Sequence, residues 1–126
     1  MRRQWVSLGS IGFVVMAMIA PVAAQAMTVD QFLAKANALK AQGMMALLSP
    51  DIGVLKAEMA DAVTALKADK AARKAAGQPP RVCAPEGTKL TQNEMLGSLA
   101  ALPPAQRAGS LKDGVSQVMR NRFPCR

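Results

Sequence analysis

The 126-residue chain carries 16 Lys and Arg against 8 Asp and Glu, a formal charge of +8, with two Cys and no His. That length holds one domain, and the missing His removes the commonest general base and metal ligand. Chemistry that depends on an imidazole is excluded.

The chain opens on the positive Met1-Arg2-Arg3. Val6 to Ala20 is then apolar, broken only by Ser7, Gly9, Ser10 and Gly12, and Ala24-Gln25-Ala26 supplies small residues at a cleavage site. This pattern predicts a cleavable signal peptide over residues 1–26, cut after Ala26. A membrane anchor is the competing reading, but the apolar run is shorter than the ~20 residues a spanning helix needs. Arg2-Arg3 resembles a twin-arginine signal without the preceding Ser or Thr, so ordinary Sec export is expected. The mature domain, residues 27–126, is thus expected in the periplasm with no membrane span. Its charge falls from +8 to +6 once Arg2 and Arg3 are removed.

With the signal gone, Phe32 and Phe123 are the remaining aromatics. A core of Leu, Val, Ile, Met and Ala favours close helix contact over a sheet, so an all-α, four-helix bundle-like domain is expected. The positive charge is spread along the chain, and two isolated phenylalanines make no platform to stack on bases. No nucleic acid partner is therefore expected.

Thr28-Val29-Asp30-Gln31 predicts a capping box, with Val29, Phe32, Leu33, Ala36 and Leu39 on one face of the first helix and Gly43 ending it. Met44 to Leu48 reads as a short apolar link. Ser49-Pro50-Asp51 then starts a second helix, on which Ile52, Leu55, Met59, Val63 and Leu66 repeat at helical spacing before charged residues take over ahead of Gly77. Run to Ala76, it would be about 40 Å long, a protruding arm or a surface that a homodimer would bury. Gln78-Pro79-Pro80 to Gly87 is a loop, and Thr91-Gln92-Asn93-Glu94 is a second capping box leading to a helix with Leu96, Leu99 and Leu102. After Pro103-Pro104 a fourth helix carries Ala108, Leu111, Val115, Val118 and Met119, with Gly109 and Gly114 weakening it locally.

Cys83 and Cys125 are the only thiols, and in an exported chain they are expected to form one disulfide closing a loop of about 40 residues, worth ~4 kcal/mol on the chain-entropy estimate. With no His and no Cys-x-x-Cys pair, a catalytic or metal-binding thiol is not expected. Asp30, Asp51 and Glu94 are accounted for by helix starts, and neither a Gly-x-Ser-x-Gly nor a phosphate loop is present. No catalytic residue, metal ligand or cofactor is therefore assigned, and the chain is not expected to be an enzyme. Met44-Met45 and the later methionines are expected to fill the core, the alternative being an adaptable binding groove.

Cys83-Ala84-Pro85-Glu86-Gly87, Thr91-Gln92, Leu102-Pro103-Pro104 with Arg107, and the closing Phe123-Pro124-Cys125 resemble the Rap/Tai family of immunity proteins associated with type VI secretion. The resemblance covers about Cys83 to Cys125. It implies a small helical periplasmic protein, often dimeric, that binds a secreted peptidoglycan-cleaving amidase and blocks its active-site cleft. Ahead of Cys83 the chain has the charged, Ala-rich Ala62 to Ala76 where the family often shows aromatic and glycine positions, so no toxin-facing residue is assigned. A second expectation, from the charge and methionines, is a small periplasmic stress chaperone or envelope-binding protein. A structural domain without a single partner is the third.

Overall fold

The computed structural model describes residues 26–126, and the expected export signal lies outside the described residues apart from Ala26. Those residues form an all-α domain: α1 (Val29–Gln42), a 3₁₀ turn (Gly43–Leu48), α2 (Asp51–Ala75), α3 (Gln92–Ala100), α4 (Pro104–Arg107) and α5 (Leu111–Arg122).

Both expected capping boxes are present. At α1 the Gln31 amide N–H donates to the Thr28 hydroxyl at 3.1 Å, and the Thr28 N–H donates to Gln31 Oε1 at 3.0 Å. At α3 the Glu94 N–H donates to the Thr91 hydroxyl at 3.2 Å, and the Thr91 N–H donates to Glu94 Oε2 at 2.8 Å. The expected fourth helix is divided into α4 and α5. The cause is local: Ser110 adopts an extended conformation as a fresh N-cap, its hydroxyl accepting from the Asp113 N–H at 3.2 Å.

The division allows a long-range tie. Thr28 and Ser110, both extended N-caps, lie antiparallel to one another. The Val29 N–H donates to the Gly109 carbonyl at 3.1 Å, and the Leu111 N–H donates to the Met27 carbonyl at 2.8 Å. Val29 and Leu111 are the first residues of their helices, whose N–H groups have no partner within the helix. Each helix start thereby satisfies the other, and the first and last long helices are clamped at one end.

The core lies between α1, α2, α3 and α5. Val29, Phe32, Ala36 and Leu39 are buried from α1, as its periodicity predicts, and Leu99, Leu111, Val115 and Val118 close the opposite side. Ala62 is buried on α2 although the apolar pattern passes over it. A methyl group there lets α2 come close to α5, the helix it packs against most extensively. Gly114 on α5 does the same for α1: a Cβ at that position would collide with the Val29 side chain and stand 3.4 Å from Leu99 Cδ2 of α3.

The far end of α2 is not a bare arm. Gly77, at φ 67°, reverses the chain. The returning loop is held by a hydrogen bond from Arg73 Nε to the Pro79 carbonyl at 2.9 Å and by an Arg81–Asp69 ion pair at 4.0 Å.

Candidate binding site

Gly43 ends α1 at φ 57°, in the left-handed half of backbone space that favours glycine, and its N–H donates to the Lys40 carbonyl. The chain then makes the 3₁₀ turn, in which Ala46 alone is buried. Met44 is 82% exposed, Met45 66%, Leu47 70% and Leu48 79%. The expectation that Met44 and Met45 fill the core is therefore corrected. Three-residue periodicity turns Ala46 inward and leaves the longer side chains on the outside. An ion pair between Lys35 Nζ and Asp51 Oδ1, 3.0 Å apart, ties α1 to the start of α2 at the base of the turn.

Beside the turn opens a groove of about 1040 Å³, just above the usual range of ligand-site volumes. It is lined by Phe32, Ala36 and Leu39 of α1, by Met95 and Leu96 of α3 with Leu90 before it, and by Val115 and Met119 of α5. From α2 come Ile52, Leu55, Met59, Val63 and Leu66. The expected α2 stripe is thus only partly core: Leu55 is buried, Met59 and Leu66 are half-buried, and Val63 is exposed. Leu47 of the 3₁₀ turn also lines the groove, so turn and groove form one apolar surface. The signal for it in the sequence was an apolar stripe on α2 that outruns the helices available to cover it.

Cys83 and Cys125, 42 positions apart in sequence, form the expected disulfide, with Cα atoms 5.0 Å apart. The Cys83 N–H also donates to the Phe123 carbonyl at 2.9 Å. This joins the chain end to the segment that continues through Thr88, Leu90 and Thr91 into the groove lining. The disulfide therefore fixes one side of the groove, while both cysteines remain on the surface.

The carboxylates expected at helix starts are engaged there. Asp30 lies 3.5 Å from Arg107 Nε, whose guanidinium also donates from Nη1 to the Ala100 carbonyl at 3.3 Å, so Arg107 braces α4 against α1 and α3. Glu94 is held below the usual carboxylate range, chiefly by the Thr91 backbone N–H, then by the Thr91 hydroxyl and by Arg122 at 3.7 Å. Among the described residues, no group of three or more His, Cys, Asp or Glu is placed to hold a metal ion, and no helix is long and apolar enough to cross a membrane.

Comparison with known protein families, with curated proteins and with solved structures finds no match to this chain.

Proposed function

We propose that the protein is a periplasmic, non-enzymatic binding protein of immunity type, which docks on a secreted peptidoglycan amidase and occludes its cleft. The observation that carries this reading is the 3₁₀ turn: four large apolar side chains within five residues stand in solvent. A contiguous exposed apolar patch of this kind marks a partner surface. The disulfide and the paired helix starts hold the scaffold rigid, which lowers the ordering cost of binding. The resemblance of the segment from Cys83 to Cys125 to the Rap/Tai family supplies the class of partner.

The test is inhibition. The oxidised protein is added to a small secreted amidase encoded beside its gene, and clearing of a peptidoglycan suspension is followed by turbidity. Stoichiometric inhibition, lost in a Met44→Asp, Leu48→Asp double variant that keeps its helical circular dichroism, is the expected outcome. Undiminished clearing with wild-type protein in excess would rule the reading out.

The same methionines beside lysines favour a second reading, a small periplasmic chaperone or envelope-binding protein. Suppression of client aggregation at acid pH, absent at neutral pH, would select it over the first.

A further inference from the structure

The groove has charge of one sign, spaced along its length. Lys40, Lys56 and Lys67 line it, and no Asp or Glu does among the described residues. Lys56 and Lys67, both exposed, lie eleven positions apart on α2. Eleven residues make three helical turns, so the two rise from the same edge of α2 about 16 Å apart. Between them the α2 lining is apolar, through Met59, Val63 and Leu66.

Length and charge together narrow the occupant. The groove-lining part of α2, from Ile52 to Lys67, extends about 22 Å. A single acyl chain could cover such a lining, but it brings one charged head and leaves the second lysine of the pair unmatched. A second copy seated groove to groove would bring like charge, because Lys40, Lys56 and Lys67 and no carboxylate line its groove too, the carboxylates of α2 at Glu58, Asp61 and Asp69 lying outside that lining. An amphipathic helix of about 15 residues matches the length and can repeat carboxylates beside its apolar stripe at every turn or two. Met59, Met95 and Met119 give the lining the adaptability that suits such a helix.

We infer that the groove receives an acidic amphipathic helix contributed by the partner protein. Its apolar stripe lies on Met59, Val63 and Leu66, and its carboxylates face Lys56 and Lys67. The inference rests on the binding reading above and names the element that the partner supplies.

The probe is a fluorescein-labelled designed peptide of about 18 residues, with Leu along one stripe and Glu on both flanks, titrated with the oxidised protein by fluorescence anisotropy. The control peptide carries Lys in place of Glu. Saturable binding of the acidic peptide, weaker by about tenfold or more for the control, is expected. A Lys56→Glu, Lys67→Glu double variant reverses that preference. Val63→Arg, at an exposed position, abolishes binding while leaving the helical circular dichroism unchanged. Equal binding of both peptides, or indifference to the double charge reversal, overturns the inference. Binding to phosphatidylglycerol vesicles without binding to the acidic peptide overturns it in favour of lipid. A concentration-dependent dimer lost in Val63→Arg, again without peptide binding, overturns it in favour of a second copy. If the acidic peptide fails while the amidase is still neutralised, only the groove assignment falls. If the peptide binds and the amidase is unaffected, the groove assignment stands and the immunity reading falls.

Discussion

Gly114→Ala separates two opposing effects that are usually confounded. In a helix interior, exchanging glycine for alanine stabilises by about 1 kcal/mol through reduced backbone entropy in the unfolded chain. At Gly114, within α5, the added methyl would collide with Val29, while Leu99 and Leu102, at 3.4 and 3.7 Å, would stand in ordinary van der Waals contact with it. Val29 cannot withdraw freely. It is fully buried, it begins α1, and its N–H is fixed to the Gly109 carbonyl across the antiparallel tie. Forcing a methyl group into a site whose neighbours are fixed costs about 1–3 kcal/mol, and the upper part of that range applies here. The net expectation is a loss of about 1–2 kcal/mol, or about 4–16 °C in Tm for a domain of this size. Gly53→Ala is the matched control: Gly53 lies within α2, is exposed, and has nothing within 4 Å of an added Cβ. It should gain about 1 kcal/mol. Thermal unfolding of the two variants, followed by circular dichroism on oxidised protein, decides the matter. A Gly114→Ala protein that melts at or above the wild-type temperature would show that α1 and α5 are not held at the spacing described.

Removing the cross-link by a Cys83→Ala, Cys125→Ala double substitution should cost about 4 kcal/mol on the chain-entropy estimate for a closed loop of this length, read as a fall in the urea midpoint with a steeper slope, because the unfolded chain without the cross-link is less compact. A loss below about 1 kcal/mol would mean that the segment before α3 is ordered independently of the chain end. Glu94→Gln preserves the capping geometry but removes the charge. The folded Glu94 carboxyl titrates below its unfolded value of 4.5, so its contribution is present above that value and is lost as pH falls through the folded one. The variant should therefore lose less stability than wild type when urea midpoints are compared between neutral pH and about pH 3, and identical slopes against pH would refute the assignment. Met44→Ser with Leu48→Ser should leave the unfolding midpoint nearly unchanged, since both side chains are exposed, while weakening inhibition in the assay for the amidase proposed as partner. A marked drop in stability would place these residues in the core after all.

What was legible in the sequence was local. Thr28 with Gln31, and Thr91 with Glu94, announce helix starts because every contact they need lies within three residues. The α1 stripe was equally readable, since Val29, Phe32, Ala36 and Leu39 all face one core. Ala62 and Gly114 were not, because their roles depend on how closely α2 and α1 approach α5, and small side chains give no amphipathic signal. The clasp between Thr28 and Ser110 was hidden for a different reason: it joins two backbone segments more than 80 residues apart through atoms that every residue carries. The groove lay between these cases. Met59, Val63 and Leu66 were visible as an apolar stripe, but whether another helix covers that stripe is a property of the assembled domain.

The 3₁₀ turn shows how exposure can be separated from architectural need. Its backbone task is to carry the chain from α1 to α2. Gly43 starts that reversal, Ala46 anchors it, and the Lys35–Asp51 ion pair closes its base. None of those features uses the side chains of Met44, Met45, Leu47 or Leu48. Polar residues at these four positions would serve the reversal equally and would suit solvent better, whereas the residues present expose apolar surface that favours association. Fold stability therefore does not account for them, which is the ground on which association is proposed. Their continuity with a lysine-edged groove, through Leu47 and Lys40, makes the associating surface larger than the turn alone. It follows that variants at the turn and variants in the groove should weaken capture of the same partner, and a partner that responds to one set and ignores the other would divide the surface into two unrelated sites.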